Sequence, residues 1–557
     1  MRELTNTTLA DDELRAFGRP IFQDKALQAI AEADGVAAAW RLAIARHGTD
    51  AFGQAGGDFS VAWRQPSGRI VLAVDRFAVR SLCYSVDAGR LKVAQRADQL
   101  SNRDASNLDP QALFDYLYFH VIPSPRTVFR GVHRVPPAHV VEFSTDGQLT
   151  VSPYWQPRFE PVRQPDFEQL REQFRDGLKE ATRRQLDGSK PACFLSGGTD
   201  SSTVAGMIGL AGSAPAHTYS IGFEAEGYDE MAYARLASKH FGCSHHEYYV
   251  TPADLVSHMA VVAQHYDQPF GNSSAVPAYF CARLAQADGV SRILAGDGGD
   301  ELFGGNTRYA KQKVFGWYDQ IPAGLRTGML EPLLSRQALG NLPLLKKAAS
   351  YSEQARVPMP DRLQSYNQLE RLGVAEVLTA EFLAQVQTEQ PRRDQRAVWQ
   401  AIRADNDIDR MLAFDWRYTL GETDLPKVCG TTQLAGLSVG FPMLDLDLLT
   451  LALHLPADWK VRRLKLRWFF KEALRGFLPD EIIQKPKQGF GLPFGVWAHR
   501  DPALFALCEA ALHSLGGRGI VRREFIQRLL HEHLPSHPKY YGEMIWILVM
   551  LELWLSQ

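Results

Sequence analysis

The sequence lacks several features that would assign it to a specialised class of protein. Its six cysteines are widely spaced and form no CxxC pair, which indicates reduced, mostly buried thiols in a cytoplasmic protein. The longest apolar run, residues 545–551, is too short to cross a bilayer, and the N-terminus has no apolar signal core. The formal net charge of −2 provides no general attraction to nucleic acid or to anionic membranes. We therefore expect neither as a partner.

The polarity pattern divides the chain into two parts. Its 557 residues suggest about two to four domains. Residues 55–155 contain alternating runs separated by turns at 66–68 and 87–89, which predicts a β-rich domain. The first 50 residues look helical, most clearly residues 26–47. We place the domain boundary at residue 160, which gives domains 1–160 and 161–557.

Strand and helix patterns alternate in the second domain. Short apolar strands are predicted at 191–195, 217–223 and 291–295, with helices at 166–186, 201–210 and 228–241. Such alternation predicts a parallel sheet covered by helices on both faces. Residues 310–557 are predicted to be mostly helical. The expected fold class is therefore α/β, with a β-rich α+β domain in front of it.

The motif FLSGGTDSS, residues 194–202, connects a predicted strand to a predicted helix. Its two glycines allow the backbone to approach a phosphate, and the helix N-terminus adds a positive end. Asp200 fits an anion site only with a cation between, as when Mg²⁺ binds carboxylates together with phosphate oxygens. The motif is not GxxxxGK[ST], which excludes an ordinary kinase or GTPase. The alternative is a glycine-rich turn without a ligand.

A second acidic segment, GDGGDELFGGN at residues 296–306, also follows a predicted strand. It should lie on the same carboxyl edge of the sheet, where open α/β sheets bind ligands. Asp300 is a candidate second Mg²⁺ ligand that faces Asp200, and Asp297 is a candidate to orient or deprotonate an attacking amine. The alternative is a surface turn in which Asp300 caps a helix.

A third segment, QKPKQGFGLPFGVW at residues 484–497, interleaves basic, glycine and aromatic residues. A lysine here could stabilise negative charge that develops on a phosphate or a tetrahedral intermediate. Lys487 is the first choice and Lys485 the second. The alternative is that both are solvated surface lysines.

Together these segments resemble the asparagine synthetase superfamily, whose synthetase domain is a PP-loop ATP pyrophosphatase. GDFSVAW (57–63) and VDRFAVRSLCY (74–84) resemble the late half of that family's Ntn-type glutaminase domain. SGGTDSS, TYSIGF with YDE, GDGGDELFGG, FPMLD (441–445) and KPKQGF then follow in the family's order. The resemblance implies a degenerate glutaminase-like domain followed by a PP-loop domain with a large helical portion.

The resemblance also implies ATP and Mg²⁺ as cofactors and assigns roles to individual residues. Asp200 and Asp300 would hold the metal, and Asp297 and Lys487 would be catalytic. The nucleotide would be bound by residues of the first loop, of the strand 217–223 and of the second loop: Leu195, Ser196, Gly197, Gly198, Asp200, Ser201, Ser202, Ser220, Gly222, Phe223 and Gly298.

Two departures from the family pattern bear on the reaction. Residue 2 is Arg rather than the nucleophilic Cys, and no cysteine precedes Cys83, so we do not expect glutamine hydrolysis. Where the family has an Asp-Arg pair and then Glu-x-Arg, the corresponding stretches here are Lys427-Val-Cys429-Gly430 and Ser438-Val-Gly440. This indicates a remodelled acceptor pocket, or weaker or absent activity, with Glu422 or Asp424 as candidate substitutes for the glutamate.

The sequence thus predicts adenylation of a substrate carboxylate and its attack by a substrate amine. The glutaminase-deficient branch that it resembles includes β-lactam synthetase and the lasso-peptide cyclases. We expect macrolactam closure of a lasso-type precursor peptide, with a leader-peptide-binding protein and a protease as possible partners. The alternatives are a small-molecule amide ligase, an ammonia-dependent asparagine synthetase, and a non-catalytic scaffold that retains the fold.

Overall fold

A computed structural model describes residues 4–212, 214–225, 227–319, 325, 354–486 and 491–556. In this part of the chain, the N-terminal region forms a five-stranded and a three-stranded antiparallel sheet. The larger sheet has the order β1-β2-β3-β7-β8, with strands Leu14–Phe22, Ala55–Arg64, Ile70–Val74, His139–Phe143 and Leu149–Pro153. The smaller has the order β5-β4-β6, with β4 Cys83–Asp87, β5 Arg90–Ala94 and β6 Val132–Arg134.

The central strand of the larger sheet is buried on both faces. In β3, Ile70, Leu72 and Val74 pack toward the smaller sheet. Val71 and Ala73 point the other way, into a core with the fully buried Trp40 of the helix Val36–His47. The strict alternation of a strand explains this division, because successive side chains leave opposite faces.

The prediction that the first 50 residues are helical is wrong for β1, which pairs with β2 along its whole length. That pairing joins residues about 40 positions apart, so no local pattern reveals it. The predicted helix 26–47 is present as two helices, Lys25–Ala33 and Val36–His47. Gly35 separates them, at a φ of +92° that a helix does not accommodate.

The second region contains a parallel sheet of order β11-β10-β9-β12-β13. Its strands are β9 Ala192–Phe194, β10 His217–Phe223, β11 Ser244–Val250, β12 Arg292–Leu294 and β13 Ser438–Gly440. The chain runs from β9 outward to β11 and returns on the other side of β9 as β12. The loops after β9 and β12 therefore diverge at a topological switch point, where such sheets form a ligand crevice.

Helices surround this sheet and form most of the remaining described chain. Up to residue 319 they are Pro110–Phe119, Phe167–Gln185, Thr199–Ala211, Met231–Phe241, Pro252–His265, Ala275–Ala287, Gly299–Phe303 and Thr307–Asp319. Between 368 and 473 they are Gln368–Leu372, Val374–Val377, Ala380–Leu383, Gln390–Ala401, Asp407–Asp415, the π-helical Trp416–Asp424, Leu425–Leu434, Leu446–His454, Ala457–Lys460 and Trp468–Ala473. The last are Asp480–Gln484, Phe494–Arg500, Pro502–Gly516, Arg523–Arg528, the π-helical Leu529–His533, Leu534–Ser536 and Pro538–Leu555. The predicted α/β class with a large helical portion is confirmed.

Four strands of the second region were not predicted. β11 was not predicted, and β13 and the hairpin β14 Val461–Arg462 with β15 Lys465–Leu466 lie in the region predicted to be helical. β13, β14 and β15 are short, and β11 is polar because it carries consecutive histidines. The hydrophobic periodicity of all four segments is therefore weak. Their pairing is decided by neighbours distant in sequence.

The helix Pro538–Leu555 packs against the N-terminal region. Tyr116 donates its hydroxyl hydrogen to the carbonyl of Ile547 over 2.8 Å, and Arg103 lies 4.2 Å above the ring of Trp554. Most of the thiols are buried, as predicted, and all six are free. Within the described ranges, no helix is both long enough and apolar enough to span a bilayer.

Candidate active site

The first predicted loop joins β9 to the helix Thr199–Ala211 at the switch point. Gly197 has a φ of +70°, and a Cβ there would lie 2.5 Å from the backbone nitrogen of Ala234. Only glycine fits such a turn. The backbone nitrogen of Ser196 donates to the Ser201 hydroxyl over 3.1 Å, which fixes the curve of the loop. The helix N-terminus thus faces the crevice with its positive end.

The second loop follows β12, the neighbour of β9, so the two loops meet as predicted. Its backbone turns at Gly298, with a φ of +100°, and enters the helix Gly299–Phe303. Asp300 lies in the first turn of this helix and does not cap it, since Gly298 holds the cap position. A Cβ at Gly299 would lie 2.2 Å from Oδ1 of Asp200. Glycine at this position therefore lets the two loops approach each other.

Asp200 and Asp300 come together around the guanidinium group of Arg467. One nitrogen, Nη2, lies 2.7 Å from Oδ1 of Asp300 and also contacts Oδ2 of Asp200. Both aspartates are thus within reach of one cation. Desolvation would lower the pKa of Arg467, but the two carboxylates hold it above its ordinary value.

These residues fit the predicted Mg²⁺. Oxygen ligands from two carboxylates that face a common point are what the ion prefers in nucleotide sites. The space between them is shaped by glycine, because a Cβ at Gly305 would lie 1.7 Å from Oδ1 of Asp300. Asp200 and Asp300 are therefore the side chains that would hold the metal, in exchange for Arg467.

Asp297 lies beside this acidic pair and next to a partly buried ion pair. Lys427 Nζ is 3.0 Å from Oδ1 of Asp424, and all three side chains line the same cavity. Desolvation raises the pKa of Asp297 to about 6; Lys427 opposes this rise, and Asp424 and Asp300 add to it. A carboxylate with such a pKa can accept a proton near neutral pH.

The cavity has a volume of about 880 Å³ and opens between the two loops. Its wall carries six cations, Lys427, Lys465, Arg467, Lys471, Arg475 and Lys485, and seven carboxylates, Asp200, Glu230, Asp297, Asp300, Glu301, Asp424 and Glu472. The cations can contact a polyphosphate directly, whereas the carboxylates suit one only with a metal ion between them. Lys485 Nζ lies 2.8 Å from Glu230 and 3.5 Å from the carbonyl oxygen of Gly197. Lys487, the first choice as catalytic lysine, lies outside the described residues.

The predicted nucleotide-binding residues divide into two groups. Those that line the cavity are Leu195, Ser196, Gly198, Asp200, Ser201, Ser220 and Gly298, and the predicted catalytic Asp297 and metal ligand Asp300 line it as well. Gly197, Ser202, Gly222 and Phe223 are not part of its wall. Gly197 and Gly222 instead allow close packing, since a Cβ at Gly222 would lie 2.5 Å from the ring of Tyr249.

The structure distinguishes between the two proposed substitutes for the missing family carboxylate. Glu422 accepts hydrogen bonds from the backbone and the hydroxyl of Ser124, at 3.1 and 2.6 Å, and it does not line the cavity. Asp424 does line it. Ser438, which stands where the family has its glutamate, lies at the start of β13 and outside the cavity wall.

Sequence reasoning missed Arg467 and Lys427 as site residues. Neither belongs to a glycine-rich loop, and an isolated basic residue is usually a solvated surface group. Arg467 stands 267 residues after Asp200 in the chain, so only folding brings the two together. The aromatic and basic stretch around it, KLRWFFK, was the one available signal.

Comparisons with known proteins agree with this arrangement. Residues 173–556 match the model of asparagine synthase, and residues 37–155 match that of a glutamine amidotransferase domain. The chain is 23% identical over 500 residues to asparagine synthetase [glutamine-hydrolyzing] 1 of Bacillus subtilis, covering 89% of this chain and 76% of that protein. It is 25% identical over 520 residues to a putative asparagine synthetase of Mycobacterium tuberculosis, covering 91% and 77%. A Gibberella zeae protein named amidase chry2 is 27% identical over 274 residues, 45% of this chain and 40% of that one.

The family model covers more than half of the sequence, including both acidic loops and Arg467. The chain belongs to the asparagine synthase family.

Proposed function

We propose that this protein activates a substrate carboxylate with ATP and joins it to a substrate amine, releasing pyrophosphate and AMP. The observation that carries the proposal is the convergence of Asp200 and Asp300 at the switch point of the sheet, with Asp297 beside them. A phosphate loop and an amine-facing carboxylate thus share one cavity. An ATP-consuming reaction also favours a cytoplasmic location.

In the first step, the substrate carboxylate attacks the α-phosphate of ATP and pyrophosphate leaves. The loop amides around Gly198 and the N-terminus of the helix Thr199–Ala211 stabilise the charge of the departing group. Asp200 and Asp300 would hold Mg²⁺, which would neutralise part of the same charge. Lys485, with its Nζ 3.5 Å from the carbonyl oxygen of Gly197, adds a positive charge beside the loop.

In the second step, the amine attacks the acyl-adenylate and AMP leaves. Asp297 accepts a proton from the amine, for which a pKa of about 6 is well matched. In the neighbouring ion pair, Lys427 lowers the pKa of Asp297 and Asp424 raises it. Holding both reactants in one cavity contributes an effective molarity of about 10⁵–10⁸ M in favourable cases.

The amine in this proposal comes from the substrate rather than from glutamine. Within the described part of the N-terminal region, the one cysteine is Cys83, which is fully buried on β4. Burial raises the pKa of its thiol to about 11, so it is neither an accessible nor an ionised nucleophile. The specific case that we propose is a peptide whose own amine closes a macrolactam, as in lasso-type precursors. A leader-peptide-binding protein and a protease would then act with this enzyme.

The test measures pyrophosphate release with ATP, Mg²⁺ and a panel of substrates. The panel contains aspartate with ammonium, free amino acids, and peptides encoded beside the gene that carry a free amine and an acidic side chain. Peptide cyclisation is read by mass spectrometry as the loss of one water, whereas asparagine formation would favour ammonia-dependent synthesis. Asp200→Asn is expected to abolish release, and Asp146→Asn, in the exposed β7–β8 turn, is the matched control.

A binding experiment separates an enzyme from a scaffold. Calorimetry with Mg²⁺ and the α,β-methylene analogue of ATP measures binding without turnover. Saturable binding that Asp200→Asn weakens supports the proposal. If the native protein does not bind the analogue, the ligase function is refuted and the scaffold alternative is favoured.

A further inference from the structure

Arg467 occupies the point on which the two predicted metal ligands converge. Its Nη2 atom touches both Asp200 and Asp300, and its Nη1 atom contacts the hydroxyl of Thr199 in the phosphate loop. The side chain is 4% exposed, so this contact is enclosed rather than a surface ion pair. A guanidinium group therefore holds the position that a bridging cation would take.

The backbone aims this side chain at the site. Arg467 stands between β15 and the helix Trp468–Ala473, with a φ of +54°. This conformation is rare for a residue with a Cβ and typical of functional sites. Its backbone nitrogen donates to the carbonyl of Gly304, and its guanidinium lies 4.9 Å from the ring centre of Phe470. The main chain is thus fixed while the terminal group borders the open cavity.

We propose that Arg467 is a phosphate-binding residue that rests on Asp200 and Asp300 until Mg²⁺ and nucleotide arrive together. This inference rests on the proposed function, since it concerns how the same site takes up its nucleotide. With Mg²⁺ held by both carboxylates, the guanidinium of Arg467 would leave them and contact the nucleotide phosphates instead. Metal and nucleotide binding are therefore coupled, and the metal alone binds weakly.

Charge and geometry both require this exchange. Two carboxylates at one point repel each other unless a cation lies between them, and Arg467 supplies that charge in the absence of metal. A divalent cation at the same point would repel a guanidinium left in contact with the same oxygens. The planar fork of arginine matches two phosphate oxygens as well as it matches carboxylates, so phosphate is a suitable second partner.

The test titrates Mn²⁺, as a magnesium substitute, and follows the paramagnetic resonance signal of the free ion. Titrations are run with and without the α,β-methylene analogue of ATP, after correction for the complex of Mn²⁺ with the free analogue. Without nucleotide, Arg467→Gln is expected to bind Mn²⁺ at least about tenfold more tightly than the native protein, because the competing cation is gone. The gain in Mn²⁺ affinity that the analogue produces is expected to be smaller in Arg467→Gln.

Two variants make the comparison specific. Arg183→Gln removes an exposed arginine outside the cavity wall, which pairs with Glu180, and it should leave Mn²⁺ binding unchanged. Arg467→Lys keeps a positive charge between the two carboxylates, so it is expected to fold even if Arg467→Gln does not. Its Mn²⁺ affinity should fall between the affinities of the native protein and of Arg467→Gln. Circular dichroism checks that each variant is folded.

The outcomes separate this inference from the proposed function. Equal Mn²⁺ affinities for the native protein, Arg467→Lys and Arg467→Gln without nucleotide would overturn the inference. A gain of about tenfold in Arg467→Gln, with a smaller gain in Arg467→Lys and none in Arg183→Gln, supports it. Failure of the native protein to bind the nucleotide analogue would refute the ligase function, and it is read in a separate titration from the metal comparison.

Discussion

The buried ion pair of Lys460 and Asp409 allows a quantitative prediction about the acidic loop. The ammonium and carboxylate groups lie 2.6 Å apart, and the side chains are 0% and 1% exposed. Lys460 also lies 4.7 Å from the ring centre of Phe159, and its Cβ is 3.2 Å from a Cβ placed on Gly304. The pair therefore packs against Gly304, at the end of the second loop.

The cost of breaking the pair follows from its geometry. At an effective dielectric constant of about 20, unit charges 2.6 Å apart attract each other by about 6 kcal/mol, against which the desolvation of both groups must be set. Lys460→Met leaves the carboxylate buried, and breaking such pairs typically costs about 3–5 kcal/mol. Asn406 still donates to Oδ2 of Asp409 over 2.7 Å, so we expect a value near the lower limit, about 3 kcal/mol.

The assay is urea-induced unfolding followed by far-ultraviolet circular dichroism. Lys460→Met should lower the midpoint at unchanged slope, and Lys460→Met with Asp409→Leu should recover much of the loss, because no charge remains buried. The control is Lys313→Met, which breaks the more exposed pair with Asp458 and should cost less than about 1 kcal/mol. If Lys460→Met costs no more than this control, the reasoning is refuted.

Three further predictions concern the site. The rate of amide formation should fall about tenfold per pH unit below pH 6, where Asp297 is protonated. The rate of pyrophosphate release in the first step should not show this acidic limb of the pH profile. Asp424→Asn removes a negative charge that raises the pKa of Asp297, so the acidic limb should move to lower pH; an unmoved limb would contradict this role. Gly305→Ala should weaken Mg²⁺–nucleotide binding at least about tenfold in calorimetry, since its Cβ would displace Asp300. The control Gly209→Ala has open space around it and should bind normally.

The two proposals make different demands on the same cavity. Amide formation requires Asp297 to remain close to the adenylate, whereas uptake of the nucleotide requires Arg467 to leave the acidic pair. The residues that serve these steps come from separate loops, so each can be changed alone. Variants at Arg467 should therefore alter metal and nucleotide binding first, and variants at Asp297 should alter the pH dependence of the amide step.

The sequence by itself determined the features that depend on neighbours in the chain. Glycines after a short apolar strand predict a phosphate turn, so the loops that carry Asp200 and Asp300 were identified without coordinates. The apolar run of β3 and the turn before it were predicted for the same reason, because an apolar run bounded by turn residues is a local pattern. The family resemblance rests on these same short motifs, and the family match confirms it.

Only the tertiary structure decided which distant groups meet. The pairing of β1 with β2, the addition of β13 to the parallel sheet and the contact of Arg467 with both aspartates join residues far apart in sequence. The same holds for the choice of Asp424 over Glu422, which depends on which carboxylate the fold turns toward the cavity. Such contacts arise from packing and long-range charge pairing, and neither leaves a periodic signal in the amino-acid sequence.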